Sequence, residues 1–496
     1  MTIRASSYNI FVKLNKPDSY LIINGYTGAA DEVNENVYKW LKDPTYGEIP
    51  SSASETLLKR GYLTERSVEE EREYVRRLAA VYQNRVIKNP SFLIAPTFSC
   101  QFRCIYCVEA HMIHHKHEAS GKTMTSEHVK AVYAAIDKIE GEQKDKTREK
   151  AEESFKGDIP ALEKINEFLN TKRMKPITLY GGEPLMAENY QLLCEIVHEG
   201  VARKHTFNAV TNAYDLLKYE DLLGPDKIVK LQITIDGPPS VHNKRRIEKT
   251  GLPTFDRIVE GVQLALDKGC TVSVRTNVDK RNMEGITELN QFYIDKGWNK
   301  NPKFMPYVFY VHSTKESANL LMPMELLAFT DQEVSKNGVE YVIKNNLNID
   351  THLSQLIKPG IIPYLRPSYC GANFGTYLFG PDGYIYTCWE EAGMEKGRIG
   401  TYLPELSMYE ERVAKYRSRT IAKIPECLEC AYGLICGGGC GFQAEAHNGS
   451  LFSPYCFQFR ESFQRITPMI YDRIVKDMEL QKEKMQQQEK DRKACA

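Results

Sequence analysis

The sequence predicts an α/β fold in three parts: a parallel sheet of six βα units, a small α+β unit ahead of it and a cysteine-rich region behind it. Three observations support this reading. Strand-like and helix-compatible runs alternate from Phe92 to Tyr310, the stretch up to Asn89 opens instead with a hairpin pattern, and most of the 13 cysteines fall in two clusters. Three lie between Cys100 and Cys107 and seven between Cys370 and Cys456, leaving Cys194, Cys270 and Cys495 alone. The 496 residues correspond to about three domains at ~150 residues each. Sixty-five basic residues balance 65 acidic ones, so the chain lacks the basic excess with which a general nucleic-acid binder meets phosphates. No apolar run reaches the roughly 18 residues of a membrane span, and Met1 to Asn9 lacks a signal-peptide pattern. A cytoplasmic location without membrane or nucleic-acid partners is therefore expected, and there reduced cysteines serve as metal or cluster ligands more readily than as disulfides.

The elements follow in order. Tyr8 to Leu14 and Tyr20 to Asn24 are β-rich runs around an Asn-Lys-Pro-Asp turn, a hairpin signal. Val33, Val37, Trp40 and Leu41 keep helical spacing until Pro44, a second short helix is expected near Ser54 to Arg60, and Gly61 to Thr64 reads as a strand. This pattern resembles a small winged-helix unit, and a charged helix from about Ser67 to Tyr82 links it onward. Six strands are then expected at Phe92 to Ala95, Pro176 to Tyr180, His205 to Val210, Ile228 to Ile235, Thr271 to Asn277 and Lys303 to Tyr310, with helical sequence such as Phe255 to Lys268 between them. Such a sheet is either curled into a barrel or doubly wound, and in both forms chemistry belongs at the carboxyl ends of the strands. The connection from Cys107 to Gly181 includes a Lys/Glu-rich stretch, Glu140 to Lys156, that reads as a solvated insertion.

The loop after the first of these strands, Ser99 to Cys107, has the spacing CxxxCxxC. Three thiolates do not complete a structural zinc site, which almost always takes four ligands. They can hold three irons of a 4Fe-4S cubane whose fourth iron stays open to a cofactor or substrate. In this motif, down to the aromatic Tyr106 before the third cysteine, the chain resembles the radical S-adenosylmethionine (radical SAM) superfamily.

Further matches stand where that fold needs them. Gly181-Gly182-Glu183-Pro184 ends the second strand, where glycines admit close approach and a carboxylate can meet a cation; the resemblance assigns it the methionyl ammonium. Thr211-Asn212 ends the third strand. Thr234 and Asp236 end the fourth and offer hydrogen bonds to a ribose, and Arg275 in the fifth can pair with a carboxylate. The resemblance implies a partial (β/α)6 TIM-like barrel, a 4Fe-4S cluster on Cys100, Cys104 and Cys107, and reductive cleavage of S-adenosylmethionine to a 5′-deoxyadenosyl radical.

In the last part Cys370, Cys388, Cys427, Cys430, Cys436, Cys440 and Cys456 fit no simple zinc count, although the CxxC pair alone would suit a zinc ribbon. The pattern is similar to the seven-cysteine SPASM extension of radical SAM peptide and protein maturases. That resemblance implies two auxiliary clusters, the first on Cys370, Cys388 and Cys440 and the second on Cys427, Cys430, Cys436 and Cys456, three 4Fe-4S clusters in all. Cys194 and Cys270 read as core residues, and the tail from Tyr471 as a solvated charged helix.

The expected organisation is thus a winged-helix-like peptide-recognition unit over 1–89, a radical SAM barrel over 90–345, an iron-sulfur domain over 346–466 and a charged helical tail over 467–496. By resemblance the chain is a maturase that forms a thioether or carbon-carbon crosslink in a ribosomally made precursor peptide, its leader held by the first unit, with flavodoxin or ferredoxin as external electron donor. Two other readings stay open: oxidation of a protein Cys or Ser side chain, as by anaerobic sulfatase maturases, and a non-enzymatic winged-helix redox sensor. The sequence names no acid or base for the reaction.

Overall fold

The structure, a computed structural model, describes residues 3–43, 45–47, 50–87, 90–110, 119–154, 175–311, 319–345, 349–358 and 365–494. Cys495 and the end of the Lys/Glu-rich stretch lie outside these residues. Among the described residues no helix is long and apolar enough to cross a membrane.

The amino-terminal unit is built on three antiparallel strands, β2 (Asn9–Lys13), β3 (Ser19–Asn24) and β4 (Ala30–Asn34), with β1 (Arg4–Ala5) paired to β5 (Leu63–Thr64). Helices α1 (Glu35–Lys42), α2 (Ser51–Arg60) and α3 (Val68–Ile87) complete it. Sequence pattern assigned Val33 to the first helix, but the free edge of β3 recruits it into β4, opposite Tyr20. Side chains fix that register: Asp31 accepts from Arg60 Nε at 2.6 Å and from the Tyr62 hydroxyl at 2.6 Å, and Glu32 from Ser19 Oγ at 2.6 Å. The helix that follows is capped by Asn34, whose side chain accepts from the Val37 amide.

The central sheet runs through β6 (Ser91–Ile94), β7 (Ile177–Leu179), β8 (Phe207–Thr211), β9 (Ile228–Thr234), β10 (Thr271–Val278) and β11 (Tyr307–Tyr310), all parallel and in sequence order. Helices α4 (Ser126–Ser154), α5 (Tyr190–Ala202), α6 (Pro239–Arg245), α7 (Phe255–Asp267) and α8 (Gly285–Asp295) intervene. Helices cover the sheet, and Ile177, Phe207, Leu231, Val274 and Val308 of the strands join one core with Ile136, Ile196 and Ile258 of the helices. This is the expected α/β architecture, in an open rather than closed sheet.

The carboxy-terminal region does not start a new sheet. After α9 (Pro323–Asn337), β12 (Lys344–Asn345) and α10 (Ile349–Ile357), strand β13 (Thr376–Phe379) pairs in parallel with β6, and β14 (Tyr384–Tyr386), β15 (Arg398–Thr401) and β16 (Ser407–Met408) extend it antiparallel. The boundary at residue 346 therefore divides the chain but not the sheet. Helices α11 (Glu410–Ser418), α12 (Pro425–Leu428), α13 (Gly433–Cys436), α14 (Gly441–Asn448) and α15 (Phe459–Ala494) finish the chain.

Helix α15 differs from the solvated tail expected of it. Its stripe Phe463, Ile470, Tyr471 and Ile474 packs with Ile10, Val12, Leu21 and Ile23 of the amino-terminal sheet and with Ile349 and Leu353 of α10. Beyond Lys482 it is exposed until the side chains cease to be described. Apolar positions at three- and four-residue spacing supply this face, and only a partner 450 residues away in sequence shows that it is covered. The same unit also reaches the cysteine-rich loops. The Tyr8 hydroxyl donates to the Leu428 carbonyl at 2.5 Å, Arg72 pairs with Glu429 at 3.0 Å, and a Cβ on Gly25 would sit 1.9 Å from the Ala431 carbonyl oxygen.

Candidate active site

The three thiols of Cys100, Cys104 and Cys107 come together at the carboxyl end of β6. Burial is the largest cause of their raised pKa values, holding Cys100 and Cys104 above the usual thiol range and pushing Cys107 up to about 12, while Cys104 raises both Cys100 and Cys107, and Cys107 raises Cys100. Buried thiols of this kind become ligands only where positive charge meets them, and the Arg246 guanidinium stands by Cys104.

The glycines of the second strand end serve the cysteine loop. Gly181, at φ +122°, would set a Cβ 2.5 Å from the Thr97 carbonyl oxygen, and Gly182 would set one 2.2 Å from that of Ser99. Their neighbours bond the same loop: the Gly182 amide donates to Thr97 at 3.1 Å and the Glu183 amide to Ser99 at 2.8 Å. The close approach that glycine permits is thus to the backbone leading into Cys100, where the sequence suggested room for a cofactor. Glu183 is almost wholly enclosed and ties two strand ends together. Its carboxylate accepts from the Leu185 amide at 2.9 Å, Thr211 Oγ1 at 2.6 Å and the Asn212 amide at 2.6 Å, while burial pushes its pKa up to about 7. The Pro184 carbonyl accepts from Asn189 at 3.3 Å, and Asn212 Nδ2 lies 4.0 Å from Cys100 Sγ.

Asp236 binds protein groups in the same way. It accepts from the Asn277 amide at 2.9 Å and from the Tyr106 hydroxyl, to which Arg246 Nη1 also donates at 3.0 Å. Arg245 Nε lies 3.7 Å from Asp236, and its Nη1 pairs with Asp279 at 3.1 Å. This buried network, with Tyr106 at its centre, anchors the cysteine loop to the ends of β9 and β10; the role of the two arginines is not legible in sequence. Thr234 lies opposite Arg275 in the β9–β10 register. Arg275 donates to Asn277 Oδ1 at 2.8 Å and stacks on Phe309, 3.8 Å from the ring centroid.

A family described as a 4Fe-4S single cluster domain matches residues 96–252, the segment that holds the three thiols and β7 to β9. An uncharacterized protein of Archaeoglobus fulgidus is 26% identical over 314 residues, 60% of this chain and 70% of that one. A cysteine-type anaerobic sulfatase-maturating enzyme of Clostridium perfringens is 21% identical over 311 residues, 58% of this chain and 80% of its own. The solved structure described as native anSMEcpe with bound AdoMet and Cp18Cys peptide superimposes with a TM-score of 0.55 at 16% identity, over 78% of this chain and 99% of that one. The chain shares the fold of that solved structure.

In this chain the carboxy-terminal cysteines form two further groups. Cys427, Cys430, Cys436 and Cys456 line one cavity of about 50 Å³, the set the sequence joined in the second auxiliary site. Cys430 Sγ accepts from the Tyr432 amide at 3.3 Å and from Arg460 Nη2 at 3.1 Å. Cys370, Cys388 and Cys440 stand close enough for Cys370 and Cys440 to raise the Cys388 thiol, after burial and Glu391. Among the described residues no three potential ligands converge as a single metal ion requires. Four sulfur donors around one cavity are a set of the kind that would hold a 4Fe-4S cluster.

Glu109, Tyr180, Trp389 and Glu390 had no sequence signal beyond proximity to cysteines. The Tyr180 hydroxyl bonds the Glu109 carboxyl, Tyr180 packs on Trp389 at 4.7 Å between ring centroids, and Arg275 acts on both Tyr180 and Glu390. Glu109 Oε1 is buried without a partner among the described residues. Burial pushes Glu109 up to about 8 and Glu390 up to about 7. Glu109 and Tyr180 thus lie near Cys107, and Glu390 near Cys388.

Proposed function

We propose that the chain binds S-adenosylmethionine and oxidises one Cys or Ser side chain of a peptide or protein substrate, in the manner of anaerobic sulfatase maturation. The observation that carries this reading is the convergence of the Cys100, Cys104 and Cys107 thiols, the polar ends of β7 to β10 and the Glu109, Tyr180, Arg275 and Glu390 group at one end of one sheet. The relative named as a sulfatase-maturating enzyme and the solved relative holding AdoMet and a peptide support this choice over the intrapeptide crosslink.

The first three thiols would hold the radical cluster, with Tyr106, Gly181, Gly182, Glu183, Pro184, Thr211, Asn212, Thr234, Asp236 and Arg275 around the cofactor. When bound, the reduced cluster and S-adenosylmethionine supply a radical that abstracts hydrogen. The protein positions and shields the site. Glu109 Oε1 has a lone pair for a substrate N–H, O–H or S–H. Arg275 keeps its Nη groups for a carboxylate, and Phe309, Tyr180 and Trp389 keep water from the reacting carbon.

Anaerobic reduction in the presence of S-adenosylmethionine and a Cys- or Ser-containing peptide tests this. Release of 5′-deoxyadenosine with a carbonyl that hydrazine traps on the peptide supports side-chain oxidation. A product that has lost hydrogen but carries no carbonyl favours the crosslink, and no deoxyadenosine at all defeats the enzymatic reading.

The crosslinking reading, with leader recognition by the first unit, draws on one observation. In the order β2-β3-β4 the outer side of β2 is partly used, since Gln464 Nε2 donates to the Phe11 carbonyl at 3.0 Å, while among the described residues β4 has no strand beyond it. An extended peptide could add there. Hydrogen exchange of the β4 amides should slow when a precursor peptide is added, and unchanged exchange would exclude this edge.

A further inference from the structure

Arg419 is the largest fully buried side chain of the described residues, yet its partners are carbonyls and not carboxylates. Nε donates to Leu451 at 2.6 Å, Nη1 to Gly439 at 2.9 Å, and Nη2 to Gly438 at 3.2 Å and Ser453 at 3.1 Å. These carbonyls belong to the Gly437–Gly439 turn, which joins Cys436 to Cys440, and to the loop that leads into Cys456. The guanidinium therefore sits where the two carboxy-terminal cysteine groups meet. A Cβ on Gly438 would lie 3.6 Å from Cys427 Sγ and 3.8 Å from Arg419 Nη1.

A guanidinium taken out of water without an anion carries a penalty of several kcal/mol that carbonyl dipoles offset only in part. The anionic groups available to it are sulfurs, and they come from both sets: Cys370 and Cys440 of the first, Cys427 and Cys436 of the second. We infer that Arg419 is a single counter-charge shared by both auxiliary sites, and that it sets the charge balance, and hence the reduction potential, of both iron-sulfur groups together. This rests on the cluster reading above. Positive charge beside a cluster favours its reduced, more negative state, so removing it lowers the potential.

The test uses the full-length chain with Cys100, Cys104 and Cys107 changed to Ala, so that only the auxiliary sites contribute, reconstituted anaerobically with iron and sulfide. Iron content comes first: about 8 irons per chain, at four per cluster, are expected. Little iron, or stoichiometric zinc, would defeat the cluster reading itself. Redox titration followed by electron paramagnetic resonance then compares the parent with R419Q and R419K. In R419Q the reduced-to-oxidised ratio at a fixed potential should fall at least tenfold at both sites, about 59 mV for a one-electron couple. R419K, which keeps the charge but cannot reach all four carbonyls, should shift both far less. A shift at one site only, at neither, or of equal size in both variants overturns the inference. If R419Q cannot retain iron, loss from both sites with retention in R419K upholds it, whereas equal loss in both variants assigns Arg419 a purely structural clamp.

Discussion

Gly182→Ala separates two roles for the glycine turn after β7. Its added Cβ would stand 2.2 Å from the Ser99 carbonyl oxygen, 1.2 Å inside the 3.4 Å at which ordinary contact begins, and 2.6 Å from the Ser99 carbonyl carbon. Both obstacles are backbone, so no rotamer change relieves them. The loop must retreat by about 1 Å, and the 2.8 Å bond from the Glu183 amide to Ser99 breaks with it. Overpacking of this kind costs about 1–3 kcal/mol. The lost bond adds about 1 kcal/mol, giving about 2–4 kcal/mol in all. The displaced residue directly precedes Cys100, and a shift of about 1 Å in a reacting geometry lowers rate by about 10²-fold. Urea unfolding, iron per chain and 5′-deoxyadenosine release are the assays, with Gly141→Ala as control, since nothing lies within 4 Å of that Cβ on α4. A G182A enzyme with full iron, an unchanged unfolding midpoint and only a raised KM for S-adenosylmethionine would refute the loop-contact argument and return the glycine to cofactor access.

Further outcomes follow from the same geometry. Changing Cys427 and Cys430 to Ala should remove about four irons of roughly 12 while deoxyadenosine release persists, and release that vanishes with them would tie the second auxiliary site to the radical cluster. Tyr106→Phe deprives both Asp236 and Arg246 of the hydroxyl between them, so unfolding should ease by about 2–4 kcal/mol, measured in urea; an unaltered midpoint would remove the network from the stability of the cysteine loop. Glu109→Gln should lower peptide modification more than deoxyadenosine release, because Oε1, buried without a partner among the described residues, is the acceptor assigned to the substrate in the proposed reading; equal losses in both would place Glu109 among the supports of the cluster. His352 on α10 is held neutral by burial and by Arg366, its pKa lowered from 6.5 to about 4. With the folded value below the unfolded one, its contribution is present above pH 6.5 and is lost as pH falls towards 4, about 3 kcal/mol at 1.36 kcal/mol per unit. The unfolding free energy of His352→Gln should be flatter across that window than that of the parent chain, and parallel pH profiles would count against it.

Much of this protein is legible in its sequence. Strand runs such as Ile228 to Thr234 and Thr271 to Val278 are rich in β-branched residues and largely buried, and helices such as Phe255 to Asp267 carry an unbroken apolar stripe. Cysteine spacing is similarly local: Cys100, Cys104 and Cys107 occupy one loop, and Cys427, Cys430 and Cys436 the short helices α12 and α13 and the turn between them. What local pattern could not decide is which groups a polar side chain finds once distant segments meet. Glu183 and Asp236 read as carboxylates free for a cofactor, but three donors from two strand ends meet the first and the Tyr106 hydroxyl meets the second. Val33 fits a helical period as well as a strand, and the unpaired edge of β3 chooses the strand. The apolar residues of α15 look incidental in a charged tail until the sheet of the first 34 residues covers them. Arg419 carries no motif at all. Its place between two cysteine groups is set by the Gly437–Gly439 turn and the loop before Cys456, whose carbonyls meet only in the folded chain. Sequence determines which residues prefer burial, helix or ligation, because those preferences act over a few neighbours, whereas the partner of each buried charge is fixed by contacts between segments far apart in the chain, and these exist only after the fold has formed.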